Sequence, residues 1–143
     1  MPINEKYFNR ILIIDDDYIS NMITEIMLLD VNLAEEVVVF LTVEEALGYI
    51  SSTCFNEWAA KEECPDLILL DINMPKKDGF DFLEAFRILS SVHVVQAVIV
   101  VLSNMSDKRE KARLEAYQVH SFMSKPITEE KLSKIISQRV SCW

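Results

Sequence analysis

Five short aliphatic runs punctuate the chain, and the segments between them are amphipathic. "ILII" (11–14), "EVVVF" (36–40), "LILL" (67–70), "AVIVVL" (97–102) and "SFM" (121–123) have the length and composition of strands. The third and fourth lack polar alternation, as expected of strands covered on both faces, so they belong at the centre of a sheet. Between the runs the period becomes helical. Ile19, Ile23, Ile26 and Asp30 share one helical spacing, Phe82, Phe86 and Leu89 a second, and Leu132, Ile135, Ile136 and Arg139 a third. Start signals agree: Thr42 with Glu45 makes a capping box, while Ser106 before Asp107 and Thr128 before Glu129 and Glu130 put acceptors and negative charge at helix starts. Alternating strands and helices with short connections predict an α/β fold, a doubly wound parallel five-stranded sheet with right-handed crossovers. The stretch "SSTCFNEWAAKEECP" (51–65) exceeds an ordinary connection and is expected to extend the second helix.

Composition narrows the class. At 143 residues, half of them hydrophobic and 26% charged, the chain reads as one globular domain over 1–143. A net charge of −9 argues against direct nucleic-acid binding, which rests on Lys and Arg displacing counterions. The one basic cluster, Lys108, Arg109, Lys111 and Arg113, is interleaved with Asp107, Glu110 and Glu115 and reads as a solvated helix face. Cys54, Cys64 and Cys142 have no metal-ligand spacing, and their odd number argues against a complete disulfide framework; they suit a reducing cytosol. Apolar runs too short to span a bilayer predict no membrane insertion and a cytoplasmic location.

Ligands of such sheets bind beyond the carboxyl ends of the strands, so the polar residues there carry the chemistry. The first strand ends in Asp15, Asp16 and Asp17, the third in Asp71, the fourth in Ser103, and the fifth in Lys125 followed by Pro126. Taken singly, an Asp or Ser after a strand is usually a helix cap and a Lys there is usually solvated. Four strand ends on one rim carrying acids, a hydroxyl and an amine read differently. Clustered carboxylates repel unless a hard cation neutralises them, and Mg²⁺ prefers a few carboxylate oxygens, a carbonyl and waters. An ammonium and a hydroxyl opposite would hold the oxygens of a phosphoryl group, and Asp71 would be the nucleophile that accepts phosphorus.

The blocks "ILIIDDD", "LILLDINMPKKDG", "VIVVLSN" and "SFMSKPIT" together resemble the signatures of a response-regulator receiver domain of two-component signalling, in order and over about residues 9–140. The resemblance implies a flavodoxin-like (βα)5 sheet of strand order 2-1-3-4-5. It implies that Asp71 takes a phosphoryl group from a sensor histidine kinase or histidine phosphotransfer protein. It also implies that Asp16 binds Mg²⁺ directly, Asp15 acts through a metal-bound water, and Asn73 contributes its backbone carbonyl. Ser103 matches the switch hydroxyl, Lys125 the lysine that pairs with the phosphoryl group, and Phe122 a rotameric aromatic whose plainer reading is an edge-strand core residue. Ser103 moving inward would vacate space for Phe122 and alter the surface of the fourth helix, fifth strand and fifth helix, where a downstream protein binds. The fourth helix, expected from Asp107 to Gln118, has few large apolar residues besides Leu114 and Tyr117, which suits a movable element. Phosphodonor docking is expected at Tyr18, Ile19 and Met22 with Pro126 and Ile127, and Ile19 reads equally as a core residue.

Pro75 and Gly79 suit the turn after Asp71, Pro by fixing φ and Gly by allowing a backbone conformation that others avoid. The resemblance implies a cis bond between Lys125 and Pro126. The chain departs from the usual receiver pattern at Asn104 and Ser121, where a small residue and a Gly are common. Asn73 and Met105 occupy places that modulate autodephosphorylation, and Met105 has no acid or amide to orient water, so a phosphoryl group lasting minutes or longer is expected. Only "RVSCW" follows the last helix, which leaves no room for an output domain; the chain is either a stand-alone receiver or part of a larger regulator. The rival is a small haloacid-dehalogenase-like phosphohydrolase with Asp15 as nucleophile and Asp17 as acid. It gives no role to "DINMPKKDG". A flavodoxin-like cofactor binder would need a Gly-rich phosphate loop, and the chain has only Gly48 and Gly79.

Overall fold

In the computed structural model, residues 8–55, 63–74, 78–90, 97–103, 108–117, 119 and 121–141 are described. Strands β1 (Phe8–Ile14), β2 (Ala34–Phe40), β3 (Leu67–Asp71), β4 (Val98–Ser103) and β5 (Ser121–Ser124) alternate with helices α1 (Tyr18–Asp30), α2 (Val43–Thr53), α3 (Gly79–Ser90), α4 (Lys108–Leu114) and α5 (Glu129–Ser141). All pairings are parallel, in the order β2-β1-β3-β4-β5. The apolar runs are strands because both of their faces are covered. Leu12, Ile14, Ile68, Leu70, Ile99 and Val101 pack towards Ile50 of α2 and Phe82 and Leu83 of α3. Ile11, Ile13, Leu67, Leu69, Val100 and Leu102 pack towards Leu28 of α1 and Leu132 of α5. Each such side chain contributes about 1.5–3 kcal/mol on burial, which outweighs the weak local preference of a five-residue segment.

Four elements differ from expectation, one being α4, which ends at Leu114 and so falls short of the expected Gln118. In α1, Ile19, Ile23 and Ile26 do share a face, but it points to solvent, 64%, 55% and 61% exposed, while Asn21, Thr24 and Leu28 are buried. Three hydrogen bonds hold that rotation. The Ile19 and Ser20 amides donate to Asp17 Oδ1 at 3.1 and 3.2 Å, and Asn21 Nδ2 donates to the Asp15 carbonyl at 2.7 Å. The helix is thus oriented by its start rather than by its isoleucines.

The second helix is not extended past Thr53, where α2 ends with Cys54 as its cap; residues 56–62 of the long connection lie outside the described residues. Cys54 forms a disulfide with Cys64, ten residues on, contrary to the expectation of free thiols. Phe55 then turns into the core and meets the Phe86 ring edge-on at 5.8 Å. That aromatic contact and the covalent bridge hold Cys54 and Phe55 in place where helical propensity alone would extend α2.

Gly79 serves a different purpose from the one its residue type suggests, because neither glycine has a positive φ. A Cβ there would lie 2.6 Å from Ile72 Cα and 2.8 Å from the Asp71 carbonyl oxygen. The glycine lets α3 begin against the end of β3. Pro75, Ser106, Asp107 and Gln118 lie outside the described residues.

Candidate functional site

Parallel register brings the first and third strand ends side by side: Ile14 is level with Leu70, so Asp15 and Asp71 follow as neighbours on the rim. Both are nearly sealed from water, 1% and 5% exposed. Each secures one oxygen through its own turn. The Asp17 amide donates to Asp15 Oδ1 at 2.9 Å, and the Asn73 amide donates to Asp71 Oδ1 at 3.0 Å. The other oxygen of each meets the same cation, Lys125 Nζ, at 2.5 Å from Asp15 Oδ2 and 3.3 Å from Asp71 Oδ2. Lys125 comes from the end of β5, across the sheet, and the peptide bond that follows it to Pro126 is cis.

Burial pushes the Asp71 carboxyl up to about 6. The Asn73 amide and the Lys125 charge pull it down, and the neighbouring Asp15 carboxylate pushes it up further. Burial works against the Lys125 ammonium, but its hydrogen bond to Asp15 and the charges of Asp71 and Asp15 outweigh that and hold it above the ordinary lysine range. Exposed Asp16 completes the cluster: oxygens of Asp15, Asp16 and Asp71 lie within 4.8 Å of one another. One ammonium against three carboxylates leaves the site electron-rich. Its hard, all-oxygen donors in a half-open setting fit a small divalent cation such as Mg²⁺.

The remaining predicted residues divide. Asp17 is turned away to cap α1, as an ordinary strand-end aspartate does. Ser103 ends β4 opposite Ser124, which puts its backbone on the same rim; its side chain is outside the description, as are Asn104 and Met105 altogether. Phe122 is level with Val101, half-buried against the core, with Lys111 Nζ 5.3 Å from its ring centre. Pro126 is exposed, but Ile127 is buried, so Ile127 is unavailable for the docking role expected of it. The basic face of α4 is exposed, and Arg113 lies 3.9 Å over the Phe80 ring.

Two supporting residues escaped the sequence reading. Asp78 caps α3, taking the Phe80 and Asp81 amides at 3.0 and 3.2 Å while its own amide donates to Asp81 Oδ2 at 2.8 Å. That box was legible in "DGFD". Asn21, whose amide supports the Asp15 backbone from inside α1, carries no sequence signal, since a buried polar residue breaks the apolar pattern instead of joining it.

A sequence model of the response regulator receiver domain matches residues 11–137. The chain is 35% identical over 78 residues to a probable C4-dicarboxylate response regulator of Halalkalibacterium halodurans, which covers 54% of this chain and 32% of that protein. It therefore spans about a third of that relative's length. A two component response regulator from Cytophaga hutchinsonii superposes with a TM-score of 0.83 at 25% identity, covering 96% of this chain and 99% of that one. The receiver domain of an Arabidopsis thaliana histidine kinase, solved with Mg²⁺, shares the fold with a TM-score of 0.81 at 22% identity over 94% of each chain. Nothing in these likenesses supports the phosphohydrolase alternative, whose acid, Asp17, is committed to a helix cap. The flavodoxin-like five-stranded order and the match over nearly the whole chain make this protein a member of the response-regulator receiver family of two-component signalling.

Proposed function

We propose that Asp71 is the phosphoacceptor of this receiver, taking a phosphoryl group from a histidine of a sensor kinase or phosphotransfer protein. The observation that carries the reading is the shared geometry of Asp15 and Asp71, two buried carboxylates whose spare oxygens converge on one lysine. In the transfer, the bond from phosphorus to the donor imidazole nitrogen breaks as a bond to an Asp71 oxygen forms. Residues Asp16, Asp71, the Asn73 carbonyl and, through a water, Asp15 would hold Mg²⁺. When bound, Mg²⁺ supplies charge neutralisation for the phosphoryl oxygens. Lys125, already the partner of Asp71, is positioned to follow the charge onto the new phosphoryl group, and Ser103 is assigned the switch hydroxyl.

Switching then follows as a population shift. A phosphoryl group favours the state in which Ser103 and Lys125 contact it, Phe122 responds, and the α4–β5–α5 surface presents a different face to a downstream protein. Asn73 and Met105 set the rate of autodephosphorylation, which is slow. The phosphodonor is assigned to the start of α1, where Tyr18, Ile19 and Met22 are 70%, 64% and 44% exposed, together with Pro126. The chain acts as a single receiver domain in the cytoplasm; among the described residues no helix is long and apolar enough to cross a membrane.

Intact mass after incubation with acetyl phosphate, with and without Mg²⁺, tests the proposal. One Mg²⁺-dependent phosphoryl adduct, lost in Asp71→Asn, is expected, and its decay gives the lifetime. Labelling that persists in Asp71→Asn through Asp15 would return the phosphohydrolase to consideration.

A further inference from the structure

The Cys54–Cys64 bridge lies outside the rim described above, and phosphotransfer gives it no task. It joins the C-cap of α2 to the residues leading into β3, with the two Cα atoms 5.0 Å apart. Both cysteines are partly exposed, so a small molecule can reach them. The frame around them is held by hydrogen bonds and packing as well as by the sulfur–sulfur bond. On the Cys64 side, Tyr49 Oη donates to the Glu63 carbonyl at 2.6 Å, while Arg10 reaches both Tyr49 Oη at 2.7 Å and the Glu63 carbonyl at 3.5 Å. Asp66, two residues past Cys64, takes the Asn9 and Arg10 amides of β1 at 2.9 and 3.0 Å. On the Cys54 side, the Cys54 amide closes α2 on the Ile50 carbonyl at 2.7 Å, and Phe55 is inserted against Phe86.

These contacts anchor both ends of the bridge independently, so reduction would leave two thiols side by side instead of unfolding the domain. Neighbouring thiols re-form a disulfide as an intramolecular step, which favours reversibility. Where disulfides occur among cytosolic proteins of ordinary organisms, they are usually transient and redox-sensing. We propose that Cys54 and Cys64 form a reversible dithiol–disulfide site that exchanges with a low-molecular-weight thiol of the glutathione class, and that its reduction loosens the α2–β3 connection. In the exchange, a thiolate attacks one sulfur and the other leaves as a thiolate. A second thiol resolves the mixed disulfide, so that two thiols become one small-molecule disulfide and the protein gains two electrons and two protons. Oxidation is the reverse step with the small-molecule disulfide as oxidant.

The full chain equilibrated across glutathione buffers of stepped reduced-to-oxidised ratio, then denatured and alkylated with N-ethylmaleimide, tests the site by intact mass. One adduct in oxidising buffers and three in reducing ones are expected, in a single two-thiol transition at millimolar glutathione that persists in Cys142→Ser and vanishes in Cys64→Ser. Three adducts at every ratio would show that the bridge does not form. One adduct in the most reducing buffer would show an inert bridge; either result overturns the proposal. Amide hydrogen exchange on the reduced wild type reads the second half. Exchange around residues 53–55 and 63–65 should rise by roughly tenfold with β1 and β3 unchanged; no change, or loss of protection throughout the sheet, would overturn it. Neither readout involves phosphate, so the outcome is independent of the role of Asp71.

Discussion

Of the aspartates at and beyond the ends of β1 and β3, exposed Asp16 aside, four divide into two pairs. Asp17 and Asp78 spend an oxygen on the first amides of α1 and α3. Asp15 and Asp71 are buried, satisfy one oxygen within their own turn, and aim the other at Lys125. The residue type is the same, and so is the neighbourhood in the chain. What separates a working carboxylate from a structural one here is desolvation combined with acceptor capacity left over. The capping aspartates are at least partly exposed and give an oxygen to helix amides, whereas the buried ones need Lys125 and leave room for a second cation.

The largest effect should come from exchanging roles within this comparison. Asp71→Asn is expected to abolish the acetyl phosphate adduct, while Asp78→Asn leaves it in place, both read by intact mass. Next, Lys125→Met strips the shared partner from two buried carboxylates. Because Lys125 is partly exposed, a loss of about 1–3 kcal/mol in urea denaturation is expected, with slower labelling. Gly79→Ala puts a methyl group against the backbone of Asp71 and Ile72 and should cost about 1–3 kcal/mol while also slowing labelling, since Asp71 itself must move.

The pH dependence sharpens the contrast. With the Asp71 carboxyl at about 6 against an ordinary 3.8, the folded chain keeps a proton that the unfolded chain has lost. Its contribution to stability is therefore greatest below pH 3.8 and falls as pH rises through about 6. In EDTA, Asp71→Asn, which cannot ionise, should gain on the wild type by about 1–2 kcal/mol at pH 7.5, and the gap should close towards pH 4. The smallest effect belongs to the caps: Asp17→Ala and Asp78→Ala should each cost about 1 kcal/mol in urea denaturation and leave labelling within about twofold.

Much of this was visible in the order of residues. Strands buried on both faces announce themselves as unbroken aliphatic runs, and the rim was readable because its acids and lysine stand directly at the ends of those runs. Strand order was not readable from pattern alone, since the pairing of Ile14 with Leu70 across intervening β2 and α2 leaves no local trace; family resemblance supplied it. The rotation of α1 was hidden because a buried amide, Asn21, sets it against the apolar stripe. The division of the aspartates was hidden as well: Asp15 and Asp17 differ in which way a side chain turns, and spacing does not encode that. The bridge between Cys54 and Cys64 required knowing that α2 stops at Thr53 and that the two Cα atoms lie 5.0 Å apart.

Lys125 stands 110 residues from Asp15 and 54 from Asp71, yet it is the cation both carboxylates share. On the ribosome, a nascent chain exposes all three acids long before that lysine leaves the exit tunnel. The acidic rim is therefore uncompensated until β5 docks, and the rim is completed only after Lys125 has been added and β5 has joined the sheet. A series of stalled chains treated with acetyl phosphate should label only once β5 has emerged, and labelling of a chain that ends before Lys125 would refute this order of events.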